Sequence, residues 1–297
     1  MPRYITVTSL LNKTKKRDPW FLDDYTINPY SGCAFNCLYC YIRGSKYGIN
    51  MAEKLSVKEN ALPVLRRQLA VRAKKHEQGV VVLSSVTDAY LPIEEKERLT
   101  RGILELLLEY RFPVHIITKS PLVLRDLDLL RNISENAILP PDMAGYHHKA
   151  FITFSFSTID PVIGKQFEPG APDPVLRLQA LKTCATAGFM TGVSLMPLLP
   201  YITDIPEQLA LMYAAFRENG ARYVFPASVT LWGDGEADSR QLIMQAVQRY
   251  YPQFAESYRR LFLTQAGVPD RYNKALQAAA AEVASRYSLP PYIDQRP

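Results

Sequence analysis

Three cysteines lie within eight residues of one another early in the chain: Cys33, Cys37 and Cys40. Their C-x3-C-x2-C spacing brings three thiolates within reach of one metal centre, and thiolates bind zinc and iron–sulfur clusters. Four cysteines complete a structural zinc site or an ordinary cluster, whereas three leave one iron of a 4Fe–4S cube without a protein ligand. The trio therefore indicates a metal centre with one position open to a substrate or cofactor.

Two other interpretations of the trio are open at this point: zinc with a distant histidine as fourth ligand, and a coincidental group of core cysteines. The histidines all lie outside the short ligand spacings of zinc fingers: His76, His115, His147 and His148. The chain has 4 cysteines, too few for a disulfide scaffold. In a reducing compartment, a group this tight favours a metal site.

The composition favours a folded protein with one large domain or two smaller ones. The chain has 297 residues, of which 47% are hydrophobic, enough for a sizeable core. No segment approaches the ~18 consecutive apolar residues of a membrane span. The first residues also lack the apolar run of a secretory signal. We therefore expect a cytoplasmic protein with no membrane partner.

Positive charge is concentrated in the first part of the chain. Residues 1–80 contain 14 Lys and Arg against 6 Asp and Glu, although the whole chain carries a net charge of only +6. Much of the excess lies in residues 13–17 and 66–75. A basic face next to the metal site would favour a polyanion such as nucleic acid. The alternative is a solvated helix face together with a frayed N-terminal segment.

The elements that must position the cysteines form a regular strand–helix alternation. Continuous apolar runs predict strands, and amphipathic runs between them predict helices. Six strands are expected, at 25–28, 80–85, 114–118, 151–157, 191–196 and 222–225. Helices are expected at 58–78, 94–110, 121–131, 173–187 and 204–219. This pattern predicts parallel strands with right-handed crossovers.

The fold class expected is therefore α/β, a partial (β/α)6 TIM-type barrel over residues 25–232. Residues 1–24 would form a basic N-terminal segment, and residues 233–297 a helical C-terminal extension with helices at 239–249, 252–263 and 271–286. An open doubly wound sheet is the alternative architecture. The sequence lacks the G-x-G-x-x-G or P-loop motif that would support nucleotide binding in such a sheet.

Polar residues follow the predicted strands, and the cysteines follow the first of them. Parallel barrels keep their active sites at the carboxyl ends of the strands. The polar candidates at these ends are Ser84, Ser85, Thr87, Asp88, Lys119, Ser120, Ser155 and Ser157, followed by segments 196–201 and 226–232. Each also has an ordinary interpretation as a helix cap or turn residue. Their shared position is better evidence for a site than any one of them.

The cysteine spacing, with Tyr39 just before the last cysteine, resembles the signature of the radical S-adenosylmethionine (radical SAM) superfamily. The resemblance implies a 4Fe–4S cluster on Cys33, Cys37 and Cys40, with S-adenosylmethionine (SAM) on the open iron. An external one-electron reductant would feed the cluster, which would cleave SAM to a 5′-deoxyadenosyl radical that abstracts hydrogen from an unknown substrate. The alternatives are a non-catalytic iron–sulfur electron-transfer or sensor protein and a zinc-stabilised nucleic-acid-binding module.

Three further segments are similar to the spore photoproduct lyase-related branch of this superfamily: residues 28–33, 87–94 and 118–120. The resemblance implies that Lys119 and Ser120 contact SAM and that Tyr39 packs near its adenine. Ser155 or Ser157 would reach the ribose. Ser84 is a further candidate cofactor contact because of its position after the second strand. Tyr41 matches a tyrosine of the lyase's hydrogen-transfer relay and is the candidate catalytic residue.

One departure from the branch concerns the hydrogen donor. Spore photoproduct lyase uses a further cysteine near the end of the second strand, where this chain has Ser84 and Ser85. The remaining cysteine, Cys184, lies in the middle of a predicted helix. A serine O–H bond is too strong to replace a thiol as donor. We therefore expect a substrate other than spore photoproduct, with nucleic acid, a small molecule, a peptide and a protein all open.

Overall fold

Six parallel strands form the centre of the molecule, a computed structural model that describes residues 2–44 and 55–293. Residues 45–54, in the predicted core, and 294–297, in the predicted extension, lie outside the described residues. The strands are β1 Arg3–Ile5, β2 Asn12–Lys13, β3 Tyr25–Ile27, β4 Tyr30–Ser31, β5 Ser56–Lys58, β6 Val81–Leu83, β7 Val114–Thr118, β8 Ala150–Phe156, β9 Met190–Leu198 and β10 Val224–Ser228.

The main sheet has the order β10-β9-β8-β7-β6-β3-β2. From β3 to β10 its neighbours are parallel, and only β2 pairs antiparallel, at the outer edge of β3. The strands are apolar and largely buried, as expected of strands covered on both faces. The predicted α/β fold with six parallel strands in a partial barrel is confirmed.

Helices follow the strands in turn. They are α1 Ala61–Lys74, α2 Glu94–Glu97, α3 Leu99–Glu109, α4 Leu127–Asn136, α5 Pro161–Phe167, α6 Pro174–Thr186, α7 Pro206–Glu218, α8 Ser239–Tyr250, α9 Ala255–Leu261 and α10 Asp270–Tyr287. Short 3-10 helices span Pro121–Asp126, Pro141–Met143 and Pro252–Phe254. Each of the five helices predicted between the strands corresponds to one or two of these elements, with shifted ends.

The second predicted helix is divided in two at Arg98. Arg98 has a φ of 49°, in the left-handed region that a helix interior excludes. The buried Glu94 side chain accepts a hydrogen bond from the Thr100 amide at 2.9 Å, and so satisfies a free amide at the start of α3. The break therefore follows from a side chain that is used as a cap, which the apolar periodicity does not reveal.

The N-terminal segment packs into the barrel instead of fraying. β1 and β5 are parallel and β4 pairs with β5, so the segment contributes to a small second sheet. Trp20 stacks on Phe225 with ring centroids 5.7 Å apart. The ring Nδ1 of the buried His115 lies 2.7 Å from the Phe21 carbonyl oxygen. The segment thus fills the amino end of the barrel interior, and the expectation of a frayed terminus is wrong.

Helix α10 packs against the last two strand–helix units, and α8 packs against α5. The Tyr272 hydroxyl of α10 donates to Asp204 at 2.7 Å, and the Gln277 amide donates to the Pro226 carbonyl at 3.3 Å. The division of the chain at residues 24 and 232 stays a prediction. Across 2–44 and 55–293, no helix combines the length and the apolar character that a bilayer crossing requires.

Candidate metal centre and cofactor site

The three cysteines lie in an irregular loop, residues 32–44, that follows β3 and β4. We call it the cysteine loop. Cys37 is buried, Cys33 and Cys40 are half-buried, and all three thiols are free. The loop begins at the carboxyl end of β3, the end at which the sequence predicts the active site. Two turns follow each other at the thiols: the Cys40 amide donates to the Cys37 carbonyl at 3.3 Å, and the Arg43 amide donates to the Cys40 carbonyl at 3.0 Å.

The three thiols lie close enough to influence one another's ionisation. Burial raises the pKa of Cys37 to about 12, although the positive charge of Lys119 opposes this shift. Burial also raises the pKa of Cys33, and the Cys37 and Asp88 charges add to that effect. A bound metal reverses this balance, because a thiol that coordinates a metal is deprotonated. The three thiols of the loop would therefore lose their protons when they bind a metal.

The donor set fits a cluster better than a single ion. Within the described ranges, no three His, Cys, Asp or Glu side chains are placed to hold one metal ion. In a 4Fe–4S cube, each of three cysteines binds a different iron, so their sulfurs stand further apart than around one ion. Three thiols in one loop at the carboxyl end of a parallel sheet are the donors that such a cluster uses. The arrangement does not support the zinc interpretation.

A buried glutamate holds the start of the cysteine loop. Glu94 accepts a hydrogen bond from the Tyr30 hydroxyl and pairs with Arg125 at 2.6 Å. We call Tyr30, Glu94 and Arg125 the Glu94 brace. Beside it, the Thr87 hydroxyl donates to the Gly32 carbonyl at 2.6 Å. The segments 28–33 and 87–94, both similar to the spore photoproduct lyase-related branch, thus bind each other directly.

A second buried glutamate holds the middle of the same loop. Glu168 accepts hydrogen bonds from the Tyr39 hydroxyl and, at 2.8 Å, from the Ser157 hydroxyl, and it pairs with Arg177. We call Tyr39, Ser157, Glu168 and Arg177 the Glu168 brace. Arg177 is itself buried and donates to the Ser155 carbonyl at 3.1 Å. The brace therefore connects the cysteine loop to the carboxyl end of β8.

Backbone contacts extend the second brace along the loop. The Leu38 amide donates to the Phe167 carbonyl at 2.9 Å, and the Gly170 amide donates to the Phe35 carbonyl at 3.0 Å. A Cβ at position 170 would collide with the Ala34 carbonyl oxygen. Only glycine allows this close approach of two backbones. The segment after α5 therefore acts as a wall for the cysteine loop.

Lys119 lies beside the cysteine loop, as predicted. Its Nζ is 5.9 Å from the centroid of the Tyr39 ring, and its charge acts on Cys37 and Cys40. The Lys119 amide donates to Asp88 at 2.8 Å. Asp88 is buried and also accepts from the Thr118 hydroxyl at 2.7 Å. The aspartate of the predicted 87–94 segment thus fixes the start of the loop that carries Lys119.

Ser84 has two unusual properties at the end of β6. Its φ is 74°, in the left-handed region that non-glycine residues seldom occupy. Its hydroxyl is buried and finds no hydrogen-bond partner in the part of the chain that the structure describes. Backbone strain and unpaired buried polar groups both concentrate at functional sites. Ser84 is therefore the candidate that most needs a ligand to complete it.

The other candidates differ in how free they are. The Ser120 hydroxyl caps the Pro121–Asp126 turn by accepting from the Leu122 amide at 3.2 Å, and Ser157 is fully buried with its hydroxyl donated to Glu168. Ser155 is only half-buried. Tyr41 is 54% exposed, and its hydroxyl donates to the Ser85 carbonyl. All of these residues lie at the carboxyl end of the sheet. The hydroxyls of Ser120 and Ser157, however, already form hydrogen bonds within the protein.

Glu168, Arg177 and Gly170 were not among the predicted site residues. Two features of the sequence near these residues could have drawn attention to this region. Asp160 before Pro161 is a helix-start pattern, and the Asp160 side chain indeed accepts from the Val162 amide at 2.7 Å. Arg177 is the one charged residue in an apolar stretch of α6. Their joint role depends on tertiary contacts with the cysteine loop.

Two groups of basic residues, 13–17 and the last turn of α1, lie at the other end of the sheet from the cysteines. Lys13 is opposite Tyr25, the first residue of β3, and Arg17 forms an ion pair with Asp24 at 2.7 Å. The last turn of α1 contains Arg72 and Lys74 and leads to the amino end of β6. Residues 13–17 and the last turn of α1 therefore do not supply a basic face next to the cysteines. Strand β2 runs antiparallel to β3, and this direction carries residues 13–17 away from the cysteine loop.

Comparison with known proteins identifies the family. The model of the radical SAM superfamily matches residues 27–212, more than half of the chain. The chain belongs to the radical SAM superfamily. It is a radical SAM enzyme whose cofactors are a 4Fe–4S cluster and SAM, as the resemblance of the cysteine motif implied. The interpretation as a non-catalytic electron-transfer or sensor protein is not supported.

Among curated relatives, uncharacterized proteins of Mycobacterium bovis and Mycobacterium tuberculosis are 29% identical over 271 residues, covering 89% of this chain and 75% of theirs. An uncharacterized protein of Methanocaldococcus jannaschii is 34% identical over 184 residues, covering 61% of this chain and 62% of its own. These relatives extend the sequence similarity to bacteria and an archaeon without adding a substrate.

Among solved structures, a tyrosine-to-phenylalanine mutant of spore photoproduct lyase has a TM-score of 0.63 at 16% identity, over 98% of this chain and 81% of its own. Another mutant of the lyase, with bound AdoMet and dinucleoside spore photoproduct, has a TM-score of 0.61 at 17% identity, over 94% and 79%. This likeness shows the fold, and it agrees with the branch that the motifs in segments 28–33, 87–94 and 118–120 resemble.

Proposed function

We propose that Cys33, Cys37 and Cys40 hold the 4Fe–4S cluster and that the enzyme abstracts hydrogen from its substrate at the carboxyl end of the sheet. When bound, the reduced cluster supplies the electron that cleaves SAM, and the 5′-deoxyadenosyl fragment takes the hydrogen. The observation that carries the proposal is that three free thiols, Lys119 and the unpartnered Ser84 hydroxyl lie at the same, carboxyl end of the sheet. An external one-electron reductant completes the system.

Ser84 and Lys119 are the proposed SAM contacts with the best support. A bound ligand would satisfy the buried Ser84 hydroxyl, which otherwise lacks a partner among the described residues. The Lys119 ammonium suits the carboxylate of SAM, because a charge-assisted hydrogen bond is stronger than a neutral one. Ser155 is free to reach the ribose, whereas Ser120 and Ser157 support the site through their protein partners.

Tyr39 has its hydroxyl committed to Glu168, so only its ring remains for the cofactor. Its ring lies under Lys119. The residue proposed to contact the adenine, Tyr39, is therefore next to the residue proposed to bind the carboxylate, Lys119. Tyr41 is the proposed relay residue. It is exposed, follows the last cysteine and is held by the Ser85 carbonyl, so its hydroxyl has a fixed position at the mouth of the site.

The proposed substrate is not spore photoproduct. The end of β6 carries Ser84 and Ser85 in place of the lyase's donor cysteine, and Cys184 is fully buried in α6. The two basic segments lie at the opposite end of the sheet and do not support recognition of a polyanion at the site. We therefore favour a small molecule, peptide or protein as substrate, and nucleic acids form the comparison set in the test.

The proposal is tested by anaerobic reconstitution of the purified protein with iron and sulfide. After addition of dithionite and SAM, mass spectrometry should detect 5′-deoxyadenosine. Cys37→Ala should bind no cluster and form no 5′-deoxyadenosine, while circular dichroism shows that the sheet and helices remain. Cys37→Ala protein with full iron and full product would refute the ligand assignment.

The SAM contacts are tested separately from the cluster. Lys119→Ala should weaken SAM binding at least 10-fold, because a charged hydrogen bond contributes about 1.5–3 kcal/mol, without loss of iron. Lys182→Ala, which removes an exposed lysine from α6, is the matched control. Isothermal titration of the reconstituted proteins measures both affinities. Equal affinities for the two variants would remove Lys119 from the cofactor site.

A further inference from the structure

The Glu168 brace combines a tether and a charge in one buried group. Glu168 has no exposed side-chain surface, and Arg177 is 1% exposed. The Glu168 carboxylate accepts hydrogen bonds from the Tyr39 hydroxyl, the Ser157 hydroxyl and the Arg177 guanidinium. Burial of an ion pair costs desolvation free energy that its attraction must repay, so such a pair seldom serves stability alone. Its position beside the cysteine loop suggests another purpose.

We propose that Glu168 is a positioning residue for the iron–sulfur cluster: it holds the loop between Cys37 and Cys40 in place, and its charge sets how readily the cluster accepts an electron. The inference rests on the proposed assignment of the three cysteines as cluster ligands. It concerns a residue outside the cysteine motif that reaches the cluster through Tyr39.

The hydrogen bond between Tyr39 and Glu168 can hold the loop because of the position of Tyr39 in the chain. Tyr39 lies between Cys37 and Cys40, so fixing its hydroxyl restricts the backbone that carries both thiols. The Leu38 amide is bound to the Phe167 carbonyl at 2.9 Å, directly beside Glu168. Side chain and backbone of this stretch are therefore both held by one short segment. A loop without helical or strand hydrogen bonds depends on such contacts for its shape.

The effect on the cluster follows from the charges around Cys37. Burial raises the pKa of Glu168, but the charges of Arg177 and Lys119 outweigh it and lower the pKa overall, so the carboxylate is ionised. The carboxylate lies against the stretch between Cys37 and Cys40, since it accepts a hydrogen bond from the Tyr39 hydroxyl and follows Phe167, whose carbonyl accepts from the Leu38 amide. Net charge near an iron–sulfur cluster is one of the factors that set its reduction potential. A negative group beside the cysteine loop makes the cluster harder to reduce.

Two substitutions separate the charge from the tether. Glu168→Gln removes the negative charge but keeps an oxygen that can accept from Tyr39. Its cluster should show a higher midpoint potential than wild type in an EPR-monitored redox titration, with iron content retained. Tyr39→Phe keeps the charge but removes the tether. In the apo-protein its three loop thiols should react several-fold faster with a thiol reagent, and its potential should move less than that of Glu168→Gln.

Two controls make these results specific. Glu94→Gln changes the matching glutamate of the other brace and should leave the midpoint potential at the wild-type value. The double variant Glu168→Gln, Arg177→Met removes both charges of the buried pair. Its midpoint potential should lie closer to the wild-type value than that of Glu168→Gln alone. The double variant also provides a stable alternative if the single change leaves Arg177 unpaired and the protein fails to fold.

The inference is overturned if Glu168→Gln has the wild-type potential, or if Tyr39→Phe has wild-type thiol reactivity. Equal shifts in Glu168→Gln and Glu94→Gln would also overturn it, because a general loss of packing would then explain both. Cys37→Ala keeps the two proposals apart. If that variant loses iron while Glu168→Gln changes nothing, only this inference fails. If it keeps its iron, the ligand assignment itself fails.

Discussion

Two buried glutamates hold the cysteine loop, and their surroundings differ. Each accepts a hydrogen bond from a tyrosine hydroxyl and pairs with an arginine; Tyr30 lies just before the cysteine loop, and Tyr39 lies within it. In the Glu94 brace the arginine, Arg125, is 21% exposed. In the Glu168 brace the arginine is only 1% exposed. The first pair is partly solvated, whereas the second is sealed in the core beside the thiols.

The difference indicates a division of labour. Tyr30 precedes all three cysteines, so the Glu94 brace anchors the entry to the loop. Tyr39 lies between two cysteines, so the Glu168 brace shapes the loop itself. Water can take over part of the role of an exposed partner, but it cannot reach a sealed one. Substitutions in the Glu94 brace should therefore lower the free energy of unfolding. Substitutions in the Glu168 brace should lower both the free energy of unfolding and the amount of bound iron.

The largest effect is expected from removing the sealed arginine. Arg177→Met leaves the Glu168 carboxylate buried without its ion-pair partner, which should cost about 3–5 kcal/mol of unfolding free energy and most of the bound iron. Arg125→Met should cost less, about 1–2 kcal/mol, because Glu94 keeps its other donors. Urea unfolding of both apo-proteins and iron analysis after reconstitution measure the difference. A larger loss in Arg125→Met would reverse the comparison.

A smaller effect is expected from crowding the wall of the cysteine loop. Gly170→Ala forces the backbone at Ala34 to move, which should cost about 1–3 kcal/mol and lower the iron content after reconstitution. Gly145→Ala is the control, since a Cβ there meets nothing within 4 Å, and it should change stability by about 0.5 kcal/mol or less. Equal iron content in the two variants would show that the wall does not shape the loop.

The smallest effect is expected from the tyrosine of the Glu94 brace. Tyr30→Phe removes one hydrogen bond to a carboxylate that keeps its arginine, and should lower the unfolding free energy by about 1–2 kcal/mol. Iron content and thiol reactivity should remain at wild-type values, in contrast to Tyr39→Phe. If the thiols of Tyr30→Phe react as fast as those of Tyr39→Phe, both braces shape the loop and the proposed division is wrong.

The sequence predicts the framework of the site well because strong local patterns encode it. The apolar run 151–157 became β8, Ala150–Phe156, and 114–118 became β7 with the same ends. The cysteine spacing is also local. Parallel strands then bring their carboxyl ends to one edge by topology alone, so Lys119 could be expected near cysteines almost 80 residues earlier.

What the sequence could not predict depends on distant contacts or on direction. Tyr39 and Glu168 are 129 positions apart, and nothing local indicates that they meet. The small sheet is built from strands of two or three residues, too short to carry a periodic pattern. The position of basic residues 13–17 also depends on direction, because their charge alone does not reveal which end of β3 they adjoin.

The central claim is that three cysteines leave one iron of the cluster open for SAM. The most direct measurement is the EPR spectrum of the reduced, reconstituted cluster with and without SAM, recorded anaerobically. The account predicts that SAM shifts the spectrum, and that Lys119→Ala needs a higher SAM concentration for the same shift. A reduced cluster whose spectrum does not change at any SAM concentration would contradict the account.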